Sequence, residues 1–330
     1  MSLTADDVIV FDNVVHVANM DPDNFQLPDG AAMTDSFWRF VADWPADHRP
    51  ADLEHLRHRW SVDEVHDIVF SDGSTDFAMA QTVPLFDMFK DGFAHVERQW
   101  QLKEKDRERV VFVGGADPVY HGADGAVREI ERQITEWGAR SMKFYNGHSG
   151  GRSWQCDDRS IAYPMYEKAL ELGVNILQFH KGSALGLERI EDLQPNDLQQ
   201  VAVDFPEAHI IIHHLAFPYH AVAIDLARRF PNIYLSMSAW INELITRPVP
   251  TTAILGEVLS RCGPEKLLFG SELPLFPVAR QLVDLVLSVQ IPEEMQEGYG
   301  YPEITDQMRR MFMGGNLMRL LGMDPTNPKL

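Results

Sequence analysis

The stretch that decides the fold is Tyr163-Pro164-Met165-Tyr166-Glu167-Lys168-Ala169-Leu170-Glu171-Leu172-Gly173-Val174-Asn175-Ile176-Leu177-Gln178-Phe179-His180. Its first part, Tyr163 to Leu172, has helical spacing. It ends at Gly173, the residue type that closes a helix most readily in the left-handed conformation. Its second part, Asn175 to His180, is a short apolar run of strand length that ends on a titratable side chain. A helix, a glycine stop and a buried strand make the repeating unit of a parallel α/β fold.

Working outward, the same kind of apolar run recurs at Val8 to Val17, Phe77 to Val83, Val110 to Gly114, Ser141 to Tyr145, His209 to His214, Ile233 to Met237 and Lys266 to Phe269. Helical segments lie between them, among them Gly125 to Trp137, Tyr219 to Phe230 and Thr252 to Cys262, and glycines follow at Gly138 and Gly263. Eight strands alternating with helices predict a closed (β/α)8 TIM barrel. An open doubly wound sheet is the alternative, and it is disfavoured because no Gly-x-Gly-x-x-Gly follows the first strand. Two stretches interrupt the repeat. Residues 18–50, directly after the first strand, read as an inserted loop region, a lid over the barrel mouth or an oligomer contact that buries Phe37, Trp38, Phe40 and Trp44. Gln290 to Pro302 reads as a surface loop.

Composition limits the partners. A length of 330 residues with 45% hydrophobic content suits a single domain over 1–330. The formal charge of -20 is spread along the chain. It argues against nucleic-acid and membrane partners. Cys156 and Cys262 stand far apart and suggest neither a disulfide framework nor a cysteine zinc site. With no signal peptide visible and no apolar run near ~18 residues, the expected location is cytoplasmic.

In a barrel of this kind the reacting groups sit at strand C-termini. The first run holds Asp12 and His16, the fourth Lys143, the fifth His180, the sixth His213 and His214, and Glu272 follows the eighth. Imidazoles and a carboxylate converging from different strands suit a divalent metal, Zn²⁺ first, with Mn²⁺ or Fe²⁺ as alternatives. Such an ion lowers the pKa of a bound water. Successive strand side chains alternate faces, so only one of His213 and His214 is expected to point inward, and His214 ends the run. Lys143 inside a barrel requires an anionic partner such as a substrate carboxylate. Arg152, in the polar loop Asn146 to Arg152, is a second candidate for that pairing.

Four segments together resemble the second branch of the amidohydrolase-related family, the branch of aminocarboxymuconate-semialdehyde decarboxylase. They are Pro164 to Gly173 leading to His180, Ile210-Ile211-Ile212-His213-His214-Leu215-Ala216-Phe217-Pro218, Lys266-Leu267-Leu268-Phe269-Gly270-Ser271-Glu272-Leu273-Pro274, and Gly315-Asn316-Leu317-Met318-Arg319-Leu320-Leu321-Gly322. The resemblance implies an amidohydrolase-like barrel in which His180 is a metal ligand, His214 the catalytic histidine and the eighth-strand acid a ligand or base. The sequence departs from the family twice. Val14-Val15-His16 stands where the family has His-x-His, and Gly270-Ser271-Glu272 stands where it has Gly-Ser-Asp. The expected metal set is therefore His16, His180 and Glu272, with Asp12 or His148 as possible substitutes for the missing imidazole. His214 and Glu272 are the expected catalytic pair, and Lys143 and Arg152 the expected substrate-binding residues.

Three functions follow. The first is a metal-dependent hydrolase or non-oxidative decarboxylase of a small carboxylated substrate. The second is the altered-site subunit of a hetero-oligomer, which the resemblance extends to a metal-dependent monooxygenase. The third is a binding protein that holds a ligand without turning it over. A homo- or hetero-oligomer is expected in the first two.

Overall fold

The computed structural model describes residues 3–276, 279–324 and 326–330. Eight parallel strands run in sequence order: β1 Phe11–Val15, β2 Phe77–Gln81, β3 Val110–Gly115, β4 Ser141–Tyr145, β5 Ile176–His180, β6 His209–Ile212, β7 Ile233–Ser236 and β8 Leu267–Leu268. Every one falls inside or within a residue of its apolar run. The ring closes between β8 and β1. There the Asn13 amide donates to the Phe269 carbonyl (3.0 Å), the Glu272 amide to the Val14 carbonyl (3.1 Å) and the His16 amide to the Leu273 carbonyl (2.8 Å). This is a (β/α)8 TIM barrel, and closure leaves no edge strand open for pairing with another chain.

The inside of the barrel is layered, because inward side chains repeat every second residue. At the N-terminal end Phe11, Met79, Val111, Ile176, Ile211 and Tyr234 join Leu317, Leu320 and Leu321 near the C-terminus in one apolar cluster, which closes the bottom. Above it lies a polar layer. Gln81 Nε2 donates to Gln178 Oε1 (2.9 Å), and Gln178 Nε2 donates to Ser141 Oγ (2.9 Å). The next residues along the same strands, Lys143 and His180, form the wall of a cavity at the C-terminal end. A register shift between Asp12 and Val15 lets β1 deliver Phe11 to the bottom and both Val14 and His16 to the cavity.

The insertion does not behave as a loop. Asp29–Val41 is a helix, here α1, whose buried face includes Met33, Phe37 and Val41. Phe37 packs on Phe276 with ring centroids 5.7 Å apart, and Trp44 stacks on the same ring at 5.2 Å. Most of the aromatic surface that suggested an oligomer contact is thus covered within the chain, although Phe40 stays partly exposed. Gln290 to Pro302 also differs from expectation, because it contains the helix Glu293–Tyr299. Two acidic residues in its first turn, Glu293 and Glu294, and a left-handed Gly300 at its end give it the usual boundary chemistry. Among the described residues no helix is long and apolar enough to cross a membrane.

Glycine carries the loop that follows β5. Gly182 has φ +64, and a Cβ there would lie 2.2 Å from the Ala216 carbonyl carbon and 2.3 Å from the Phe217 oxygen. The loops after β5 and β6 therefore touch backbone to backbone. Gly173 is also left-handed, at φ +83, but a Cβ there meets nothing within 4 Å. Gly173→Ala is expected to cost about 1 kcal/mol from the backbone conformation alone. Gly182→Ala is expected to cost several-fold more, or to prevent folding, as read from urea midpoints. Equal losses would show that the two loops are not in close contact.

Candidate active site

The cavity at the strand C-termini has a volume of about 620 Å³. His16, Lys143, His180, His214 and Glu272 all line it, together with Val14. Five of the six residues named from sequence for metal, proton or substrate are thus brought together. The sixth, Arg152, is exposed and is not among the lining residues. The guanidinium at the cavity is instead Arg39, on the exposed side of α1. Nothing in the sequence pointed to it, because the insertion carries no motif.

Backbone strain is concentrated here. Among the described residues the non-glycine residues with positive φ are Leu85, Ser183, His214, Leu215, Ala216, Ala239 and Glu272. Leu85, Ser183, His214, Ala239 and Glu272 line the cavity. Strained residues of this kind persist where the surrounding structure holds side chains in place for a purpose. The strain at His214, φ 56, also explains why the alternation argument fails. β6 ends at Ile212, and the chain turns sharply over His213–Ala216. Both imidazoles face the interior: His213 Nε2 lies 2.7 Å from Gln178 Oε1 in the polar layer, and His214 sits one level higher at the cavity.

Hydrogen bonds assign the proton positions. His16 Nδ1 is 3.0 Å from the Gln81 carbonyl, which only accepts, so Nδ1 bears hydrogen. In the neutral ring Nε2 then offers a lone pair, and it faces Glu272 Oε2 at 3.3 Å. A lone pair and a carboxylate in contact require a proton or a metal cation between them. His214 Nδ1 is 3.2 Å from the Ser238 carbonyl and donates to it, so His214 Nε2 accepts from His180 Nδ1 at 3.0 Å. His180 Nε2 is left as a buried lone pair without a hydrogen-bond partner among the described residues. Glu272 Oε1 is likewise unpartnered by hydrogen-bond geometry, 3.4 Å from His214 Nδ1.

The charges around Glu272 do not balance on their own. Burial would raise its carboxyl, but His214, His16 and Lys143 outweigh it and hold it down to about 2. Burial pushes His214 down to about 4, against the pull of Glu272, so near neutrality that ring is uncharged. Burial likewise pushes the Lys143 amine down to about 7, with Glu272 opposing, so it is only half charged there. A buried carboxylate among neutral imidazoles, with one oxygen and one facing nitrogen unpartnered, fits a divalent cation in donor type. The side chains close on one another directly, and among the described residues no three acidic, histidine or cysteine side chains converge on a point that would hold an ion without adjustment.

Neither proposed substitute for the missing imidazole takes its place. Asp12 Oδ1 accepts from the Val14 and Ser271 amides, both at 2.9 Å, and its other oxygen accepts from the Ser271 hydroxyl. His148 lies between Asp87 (3.5 Å) and Asp117 (3.4 Å), away from the cavity lining. Burial lowers its pKa, but the two carboxylates outweigh that and raise it. Sequence reasoning also missed Tyr145, which lines the cavity and whose ring stacks on His180 at 4.0 Å.

Comparison with known proteins gives the family and the same fold. A family model described as amidohydrolase matches residues 15–323. A TIM-barrel protein of Bordetella bronchiseptica aligns with a TM-score of 0.68 and 18% identity, covering 96% of this chain and 99% of that one. A 5-carboxyvanillate decarboxylase from Sphingomonas paucimobilis aligns with a TM-score of 0.59 and 18% identity, over 96% and 99%. Another 5-carboxyvanillate decarboxylase, a variant from Novosphingobium aromaticivorans with bound manganese and a nitrobenzoic acid, aligns with a TM-score of 0.59 and 12% identity, over 96% and 97%. No curated protein sequence matches the chain significantly.

The lysine gives a test of these electrostatics. Its folded pKa, about 7, lies below the ordinary value of 10.5, so between those limits the unfolded chain binds more protons. The penalty for burying Lys143 is therefore full below pH 7 and fades as pH rises toward 10.5. In chelator-treated protein, Lys143→Met is expected to raise the melting temperature at pH 6 and to lose most of that advantage by pH 10. An advantage that does not change with pH would place the amine in solvent.

Proposed function

The chain belongs to the amidohydrolase family, and on that footing we propose that it is a metal-dependent hydrolase or non-oxidative decarboxylase of a small carboxylated substrate. One observation carries the substrate half of this reading. Lys143 is 2% exposed, lines the cavity and forms no ion pair within 4 Å among the described residues. A buried amine without a close counter-ion is costly unless a ligand provides one. A substrate carboxylate against it would raise its pKa, keep it protonated and orient the reacting bond toward the histidines.

His16, His180 and Glu272 would hold the metal, zinc first and manganese or iron as alternatives. Bound there, the ion would supply Lewis-acid polarisation of a substrate oxygen. The remaining work falls to the chain. His214, neutral near pH 7, would first take a proton at Nε2, where the bond from His180 Nδ1 gives way, and would return it only from the imidazolium so formed. The Ser238 carbonyl fixes its tautomer, and Glu272 stabilises the imidazolium formed when it gains a proton. Glu272 thus serves both metal and proton transfer. The apolar walls keep bulk water from competing for the same positions.

Val14 favours one further reading, an altered-site subunit of a hetero-oligomer whose partner carries a complete metal cluster. Oxidation chemistry would then belong to the assembly. Native mass measurement of the purified protein separates the two readings: a second chain in constant ratio supports the subunit, and its absence supports the independent enzyme.

Three variants test the metal set by titration with Zn²⁺ and Mn²⁺. His180→Ala is expected to lose metal binding by at least about 100-fold, because only three protein donors exist. Glu272→Gln keeps an oxygen but loses the charge that offsets the cation, so a smaller loss of roughly 10-fold is expected. Val14 lines the cavity beside His16, so Val14→His is expected to tighten binding. Equal affinity in the original protein and His180→Ala would show that these residues hold no metal.

A further inference from the structure

The walls of the cavity contain more than a small carboxylated molecule needs. The charged and titratable groups on its lining are those at the strand ends, with Arg39 and Glu243 elsewhere. The remaining surface is mostly apolar. Phe37 and Phe40 of α1 stand on it, as do Phe217 and Trp240, which stack on each other at 4.2 Å after β6 and β7. Leu185 and Ile190 extend it along the loop after β5. The space, about 620 Å³, equals the volume of about twenty liquid waters at ~30 Å³ each. A single-ring acid displaces only a fraction of that, and the rest would remain water against hydrocarbon.

The lid has the same character. α1 turns Met33 and Phe37 inward, and Phe40 remains 42% exposed at the end of the helix. Beyond β5, Ile190 on the cavity lining is 36% exposed. Partly exposed apolar side chains beside an apolar cavity are what a ligand with a long hydrocarbon body would cover.

We propose that the ligand of this site is an amphiphilic carboxylic acid whose apolar body is much larger than one aromatic ring, with its carboxylate at Lys143 and its body between α1 and the Phe217–Trp240 wall. This rests on the proposed function for the role of Lys143, and it adds the substrate class. α1 is then the specificity element, since Phe37 and Phe40 would meet the body and not the reacting head.

The test is binding without turnover, using the protein as purified. Straight-chain carboxylates from six to twelve carbons, kept below their micelle concentrations, are titrated by calorimetry beside benzoate and 4-hydroxybenzoate. Affinity is expected to rise about fourfold per added methylene, since each buried one contributes roughly 0.8 kcal/mol. The twelve-carbon acid should bind at least 100-fold more tightly than either single-ring acid. Phe40→Ala, a change at a partly exposed position that the fold tolerates, should weaken the ten- and twelve-carbon acids and leave benzoate unchanged. Lys143→Met should weaken every acid but not dodecanol. A flat chain-length series, or a single-ring acid as the tightest ligand, would overturn the proposal. Straight-chain alkanoates carry no bond that hydrolysis or non-oxidative decarboxylation breaks, so the slope tests the ligand class alone, and the proposed chemistry fails separately if the metal titrations of the three variants show no site. If a single-ring acid is cleaved and also binds best, the ligand class fails and the proposed chemistry stands.

Discussion

Everything at the mouth of this barrel depends on the seam between β8 and β1. β8 spans only Leu267–Leu268, so regular strand pairing cannot close the ring by itself. The seam is completed by backbone bonds beyond the strand and by the Asp12 carboxylate, which takes the Ser271 amide and hydroxyl together with the Val14 amide. Burial drives the Asp12 carboxyl up to about 6, yet the three donors on it act in the opposite sense. Fixing Ser271 fixes the next residue, Glu272, in a left-handed conformation that an L-residue seldom adopts. The bulge in β1 turns His16 to meet it. A structural clasp below the cavity thereby sets the spacing of a carboxylate and an imidazole above it.

That spacing creates an electrostatic demand. Glu272 is buried and ionised, His214 beside it is neutral near pH 7, and Lys143 is half charged. His214 and Lys143 lower the cost of the buried negative charge without being full counter-ions in direct contact, and His16 meets Glu272 only through a proton or a metal cation. A second cation in the site answers that demand, and the lone pairs of His16 and His180 are of the right kind to share it. Under the proposed function the same lysine would become a full cation when a substrate carboxylate entered, which would couple ligand charge to site charge. Around this polar floor the walls are apolar, which strengthens every charge interaction within them.

How much of this could be read from sequence depends on whether the signal was periodic. The eight strands were visible because continuous apolar runs are what a sheet covered on both faces requires. The strand-end residues His16, Lys143, His180, His214 and Glu272 were visible for the same reason, since the barrel's geometry places strand ends at one mouth. Where the chain leaves the strands, that logic stops. His213 and His214 were expected to face opposite ways, and a left-handed turn brings both inside. Arg152 was chosen by chemistry on a polar loop, but it is exposed and away from the cavity, where Arg39 on α1 is the arginine among the lining residues. The insertion read as a loop because prolines and glycines surround it. Its helix is stabilised by packing of Phe37 and Trp44 on Phe276, more than two hundred residues away, which no local pattern reports.

The central claim is that His16, His180 and Glu272 form a site for a divalent cation. Anomalous scattering from a crystal of the manganese-loaded protein tests it most directly. The account predicts one strong peak within bonding distance of His16 Nε2, His180 Nε2 and a Glu272 oxygen, with His214 beside it and Val14 on the open side. An anomalous map without a peak between these three residues, with His16 and Glu272 still in mutual contact, would contradict it.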